Sequence, residues 1–295
     1  MPIKKLTTNK YRIEDGITQS MICDFLSCRQ KLRLKIDRWE SIYSKTSSLE
    51  RGNFIHYFLE HIYASSSDYT VTDMFYNWCR LEGIDEASKD AISILGICEA
   101  LLPQYVKHWT KSDTKYKWIS LERVFDVTWM GYRLRGKIDG ILIVNGTYYI
   151  FETKTKAQIE EEGVLDKLQF DFQNFFYLLV CRSILNLPVR GVIYNIIRWP
   201  NSRLKQSLVD HINADSAHYF KRFEVVYSND DITAFERELL LILKDYSGWV
   251  AGEVSHYKNA SNCFKGNMKC EFLKICSSGQ FAGFNQTRTL FRELI

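Results

Sequence analysis

The chain has little of what loosens or staples a polypeptide. Only 4 Pro and 15 Gly occur in 295 residues, with no Gly/Ser linker, low-complexity tract or internal repeat. That scarcity excludes collagen-like, linker-rich and disordered classes. No run approaches the roughly 18 uninterrupted apolar residues that a bilayer span needs. The opening MPIKKLTTNKYRIEDG has no apolar signal core, so a cytoplasmic protein with no membrane partner is expected. Charge of one sign is scarce too: 39 Lys+Arg against 35 Asp+Glu leave +4 with His neutral, which permits a nucleic-acid partner without identifying one. No GxxxxGK(S/T) phosphate loop is present, which argues against a built-in ATP-driven motor. The 8 Cys are too sparse for a disulfide scaffold, so their spacing carries the information.

What is present is ordinary apolar content, 46% hydrophobic with 14% aromatic, enough for a substantial core. Helical spacing predicts helices over 17–36, over 49–64 before a polar break at 65–68, and over 85–109, the last kinked or divided by Pro103. From 117 to 155 the texture changes to strand formers, with Asn145-Gly146 as a hairpin turn. A helix over 168–185, strands over 189–199 and 219–227, and a helix over 232–246 ended by Gly248 complete the pattern. This order reads as an α/β fold with a mixed sheet. Three regions are expected: a helical one at 1–110, a core at 111–250 and a cysteine-rich one at 251–295.

The sharpest local signal is GKIDGILIVNGTYYIFETKTKA at 136–157. If Asn145-Gly146 is the turn, Asp139 and Glu152 lie on facing strands, and the spacing of two puts Lys154 on the face of Glu152. Two hard carboxylates hold Mg²⁺ or Mn²⁺, and a neighbouring Lys orients water or meets phosphoryl charge. The plain alternative is a surface ion pair in an ordinary hairpin. Elsewhere, Gly52, His56 and Glu60 share a helical stripe, which offers an imidazole to such a site, a Glu60 that forms a helix salt bridge or holds a metal ligand in place, and close approach at Gly52. Gln173 and Tyr177 are four apart on a helix after the hairpin, with Gln169 one turn earlier as a competitor. Near the C-terminus Cys263, Cys270 and Cys276 sit in a polar loop, where metal ligation explains them better than burial; zinc and iron-sulfur both remain open.

Asp139 followed by Glu152-Thr153-Lys154 resembles the catalytic core of the PD-(D/E)XK nuclease superfamily, with Ile138 where Pro is usual. Gly52 to Glu60 resembles the GxxxHxxxE helix of the RecB-like branch, and Gln173 to Tyr177 its QxxxY helix. Ser27-Cys28-Arg29-Gln30-Lys31 resembles the upstream ligand motif of branch members with an iron-sulfur cluster, such as CRISPR-associated spacer-acquisition nucleases and the AddB helicase-nuclease subunit.

The resemblance implies a restriction-endonuclease-like core at 111–250, with the His motif and first cluster ligand before it and an iron-sulfur region joining the N- and C-terminal segments. It implies a Mg²⁺- or Mn²⁺-dependent deoxyribonuclease, an exonuclease by analogy, acting on single-stranded DNA or DNA ends in recombination or repair, with a recombination or helicase partner. His56, Asp139 and Glu152 would hold the metal. Lys154 would position water, and Gln173 and Tyr177 would steady the site. Cys28, Cys263, Cys270 and Cys276 would ligate a 4Fe-4S cluster, with Cys23 as a competitor for Cys28 and zinc as the alternative metal. A catalytically weak DNA-binding scaffold and an RNA nuclease are the alternative functions.

Overall fold

A computed structural model describes residues 10–42, 47–64, 69–159, 163–200, 207–265, 268–287, 290–291 and 294. The polar break expected at 65–68 lies outside them. In chain order the elements begin β1 (Ile17–Thr18), α1 (Gln19–Ser27), α2 (Arg29–Ile36), β2 (Trp39–Ser41), α3 (Ser47–Ala64), α4 (Val71–Glu82) and α5 (Lys89–Asp113). The middle holds β3 (Tyr116–Trp129), β4 (Tyr132–Val144), β5 (Thr147–Lys156), α6 (Val164–Gln169), α7 (Phe172–Leu179) and β6 (Val189–Arg198). Then come α8 (Leu208–Ala214), β7 (Phe220–Val226), α9 (Asn229–Ala251), β8 (Phe264–Lys265), β9 (Met268–Lys269), α10 (Leu273–Ser278) and β10 (Phe284–Gln286).

The main sheet has the path β1-β4-β5-β6-β7, with β3 against β4. Its β1/β4 and β5/β6 pairs are parallel, and its β4/β5 and β6/β7 pairs are antiparallel. The chain therefore has an α/β fold with a mixed central sheet flanked by helices. No helix among the described residues is long and apolar enough to cross a membrane.

Two compact units share the chain, one made of Thr46–Arg123 and Ile138–Asn229, the other of Met1–Lys45, Val124–Lys137 and Asp230–Ile295. In the former, Asn145 and Gly146 take φ of 50° and 81°, the paired left-handed conformation of a tight hairpin whose twist matches its strands. Strand β6 is buried along nearly its whole length, as a central strand covered on both faces must be. Gly191 lets β7 approach: a Cβ there would meet the Val225 carbonyl oxygen at 2.1 Å. Helix α4 was not among the expected elements, although its Thr70/Asp73 capping box and amphipathic face are legible in sequence. It packs Phe75 edge-on against Phe54 of α3, ring centroids 4.9 Å apart. Pro103 does not divide α5; the residue sits on the exposed side of the helix while Leu101, Leu102 and Tyr105 stay buried.

In the other unit the expected helix at 17–36 breaks at Cys28, whose extended backbone (φ −165°, ψ 109°) ends α1 and starts α2. Phe25 of α1 packs against Tyr246 and Trp249 of α9, centroids 5.1 and 5.5 Å away. Burial of Trp249 carries α9 through Gly248 to Ala251, so Gly248 is not its terminator. Leu34, Trp39, Phe272, Ile275 and Phe284 form a smaller core that joins α2, β2, α10 and β10.

Candidate active site

The hairpin brings the two acidic strand residues together. Its ladder pairs Gly140 with Phe151, and the same register carried one step further sets Asp139 opposite Glu152 on one face. The Thr153 N–H donates to Asp139 Oδ2 at 2.8 Å. Thr153 is held in turn: its Oγ1 accepts from Asn195 Nδ2 at 3.2 Å, and Asn195 Oδ1 accepts from Tyr105 and from Arg222 Nε, each at 3.2 Å. Arg222 is ion-paired to Asp113 and donates to Tyr63 and Tyr105 at 3.0 and 2.9 Å. A buried polar network thus fixes the backbone that holds Asp139.

From α3, His56 Nδ1 lies 3.3 Å from Glu122 Oε1 and 3.5 Å from Asp139 Oδ2. These three residues offer one nitrogen and two oxygens, all within 4.8 Å of one another. One imidazole nitrogen and two carboxylate oxygens form a donor set that can hold a divalent metal ion. Glu122 escaped the sequence reading. It sits within β3 at φ 43°, a left-handed conformation that costs a non-glycine residue about 1–3 kcal/mol and turns its side chain out of strand alternation. The one signal was an acidic residue amid strand formers, indistinguishable by spacing from a solvent-facing one. Gly52 lies inside α3, where an added Cβ would meet nothing within 4 Å, so close approach is not its role.

Glu152 is 1% exposed. Its Oε1 accepts from Lys154 Nζ and, at 2.9 Å, from Gln173 Nε2; Lys154 Nζ also donates to Gln173 Oε1 at 3.2 Å. Tyr177, one turn along α7, shares a hydrogen bond with Gln173. Gln169 lies exposed on α6 instead. Glu152 Oε2 is buried with no hydrogen-bond partner among the described residues. An orphaned carboxylate oxygen is costly, and a cation removes that cost.

The electrostatics follow from three carboxylates around one ammonium. Burial disfavours the charged form of His56, but Asp139 and Glu122 outweigh it and push its pKa up to about 9. Burial, then the charge of Asp139, raises the Glu152 carboxyl above the usual carboxylate range against the pull of Lys154. Burial works against charge on Lys154 as well, yet Glu152 and Asp139 hold it protonated. The site draws positive charge, which a proton on His56 or a divalent ion supplies.

The other unit holds the cysteines. Cys28, Cys263, Cys270 and Cys276 line one cavity of about 210 Å³. Asn259 N–H donates to Cys28 Sγ at 3.4 Å, and Cys270 N–H to the Cys263 carbonyl at 2.9 Å. Among the described residues, no three of these sulfurs lie within 4.8 Å of one another. Cys23 does not line the cavity; its sulfur accepts from Gln19 at 3.1 Å. Cys79, Cys98 and Cys181 are buried.

Residues 17–277 match the family model described as the PD-(D/E)XK nuclease superfamily. The fold is similar to the crystal structure of a candidate exonuclease from Eubacterium rectale, with a TM-score of 0.51, 13% identity, and 93% of this chain and 98% of that one covered. SSO0001 matches with a TM-score of 0.37 at 13% identity, over 91% of this chain and 89% of that one. VC1899 from Vibrio cholerae matches with a TM-score of 0.21 at 14% identity, over 70% and 62%. These last two carry no weight for the fold. No curated protein matches the chain.

Proposed function

The chain belongs to the PD-(D/E)XK nuclease superfamily, and from that premise we propose that it is a Mg²⁺- or Mn²⁺-dependent deoxyribonuclease of the RecB-like branch. Its proposed action is exonucleolytic, on single-stranded DNA or DNA ends, and it carries a 4Fe-4S cluster. The observation that supports hydrolysis best is the convergence of His56, Glu122 and Asp139 on one point, beside the orphaned oxygen of Glu152. His56, Asp139 and Glu152, with Glu122 beside them, would hold a divalent ion, which would supply Lewis acidity and lower the pKa of the attacking water.

Lys154 is steered by Glu152 and Gln173, so its ammonium presents a fixed positive charge to the attacking water or to the phosphoryl oxygens. Gln173 bridges Lys154, Glu152 and Tyr177, and α7 is capped by Asp171, which keeps that bridge in place. Thr153 and Asn195 hold Asp139 from behind.

The cluster is supported by the cysteine cavity. Four cysteines around one cavity is the ligand count of both a tetrahedral zinc site and a 4Fe-4S cluster. The deciding experiment digests end-labelled single- and double-stranded DNA with Mg²⁺ or Mn²⁺, using circular single strands to separate end-dependent from internal cleavage. The parent yields products and Asp139→Ala does not; equal digestion by both proteins would remove the proposed centre. Iron and labile sulfide in anaerobically purified protein test the cluster, and stoichiometric zinc without iron would exclude it.

A further inference from the structure

We propose that Arg51, lying on the Trp199 ring at one end of the main sheet, binds a backbone phosphate of the strand beside the scissile one; this deepens the nuclease reading and rests on it. Arg51 shares the core-facing stripe of α3 with Ile55 and Phe58, 0% and 3% exposed, which follow it at i+4 and i+7. That stripe carries its guanidinium to the margin of the helical core, where it lies 5.0 Å from the centroid of the Trp199 ring. Trp199 is fixed in turn: it follows the last residue of β6, and its N–H donates to the Lys156 carbonyl at 2.7 Å. Two elements measure the place of this pair against the carboxylate centre, and they agree. On α3, Arg51 precedes His56 by five residues, about 7.5 Å along the helix axis. On β5, Thr155 lies two residues, about 7 Å, beyond Thr153, whose N–H holds Asp139. Thr155 is the cross-strand partner of Ile197, and Ile197 and Trp199 pack against one core.

Arg51 lacks what other arginines of the chain have. Arg29, Arg33, Arg133 and Arg222 each meet an aspartate. Arg51 meets no carboxylate among the described residues, and its Nε is buried without a hydrogen-bond partner. Burial pulls its pKa below the ordinary arginine value, and no acidic neighbour offsets that pull. The stretches beside the pair in sequence, 43–46 and 201–206, lie outside the described residues and contain no Asp or Glu. Thr155 Oγ1 is a second buried polar atom at this end of β5 without a partner. A half-buried charge held by ring stacking in place of an ion pair suits an anion that arrives from outside. Guanidinium donors match phosphate oxygens in geometry and charge, and a phosphodiester supplies the missing acceptors. Sign of charge sets this contact apart from the carboxylate centre. Glu122, Asp139 and Glu152 repel a phosphate unless a metal is bound, whereas Arg51 attracts one without metal.

The test reads binding of a labelled single-stranded oligodeoxynucleotide to the full chain in EDTA, by fluorescence anisotropy across a KCl series, so that no cleavage intervenes. Arg51→Ala should bind about tenfold more weakly. Its plot of log K against log salt should be shallower by about 0.7, the counterion release of one phosphate contact on a single strand. Arg51→Gln, which keeps the length of the side chain without its charge, should show the same shallower slope, and Arg51→Lys should restore it. Should Arg51→Ala melt below the parent, the Gln and Lys variants decide alone. With Mn²⁺, Arg51→Gln should raise KM about tenfold and leave kcat within about twofold. Slopes equal to the parent's in the Ala and Gln variants, a loss in kcat with KM unchanged, or no binding by the parent would overturn the assignment. If those arms fail while the parent still digests DNA with Mn²⁺, the phosphate contact falls and the nuclease stands. If the slope depends on Arg51 and no DNA is digested, the nuclease reading falls and the phosphate contact remains.

Discussion

The carboxylate centre and the cysteine cavity are built by opposite means. The first is made mainly from regular structure: a hairpin sets Asp139 against Glu152, one helix brings His56, and another brings Gln173 and Tyr177. Its donors are packed tightly enough to repel one another, with three of them within 4.8 Å. The second is made from element ends and connections, with Cys28 at the break between α1 and α2 and Cys263 just before β8. Its donors are spread around a cavity of about 210 Å³. A centre on strands takes its geometry from the backbone ladder before any ion binds. The proposed cluster would hold the segments around Cys28 and Cys263–Cys276 together, offsetting the entropic cost of closing so long a loop.

The largest effect that would break this contrast is on activity. Asp139→Ala should lower cleavage on the order of 10³-fold while leaving iron content nearly unchanged. Parallel assays of cleavage and iron decide it, and a large loss of iron would show that the two centres are not separately built. The converse change, Cys28→Ser, should remove the visible absorbance of the cluster and lower stability by several kcal/mol, as loss of a structural metal does. Calorimetry is the measure, and an unchanged melting temperature would make the cysteine cavity incidental.

Smaller effects sharpen the account of the carboxylate centre. Asn195→Ala removes the amide between Arg222 and Thr153. Because the reach to Asp139 is through the Thr153 N–H, Mn²⁺ affinity should fall about tenfold. Titration with Mn²⁺ followed by electron paramagnetic resonance tests this; rescue by Asn195→Asp, which keeps an acceptor for Arg222, would assign the role to that acceptor.

The smallest effect is on pH dependence. In the metal-free protein the His56 pKa is about 9 against an ordinary 6.5, and Glu152 is likewise raised, so the folded state binds more protons than the unfolded one. The stability contributed by protonated His56 is therefore complete below pH 6.5 and lost as pH rises through about 9. The melting temperature in EDTA should decline over that window, and Mn²⁺ should flatten the decline by supplying the positive charge itself. A flat profile in EDTA would separate His56 from the carboxylates.

Legibility followed the same division. That Asp139, Glu152 and Lys154 share a face was legible from strand alternation and the Asn-Gly turn, whereas His56, Gln173 and Tyr177 were singled out by the resemblance to the nuclease superfamily, since four-residue spacing alone fits any helix. Glu122 was hidden because its place depends on a left-handed backbone in β3 that no side-chain pattern announces. Helix α4 was missed despite a readable cap, whereas the passage of α5 through Pro103 and of α9 through Gly248 was decided by exposure and by the buried Trp249.

By itself the sequence determined the hairpin and the face it presents, since these follow from a period of two residues and from turn chemistry within a few bonds. Only the tertiary structure decided that Glu122 joins His56 and Asp139, that the Arg222–Asn195–Thr153 network stands behind them, and that the four cysteines surround one cavity. Those are contacts between residues far apart in the chain, and they are fixed by packing and burial, which no local pattern encodes.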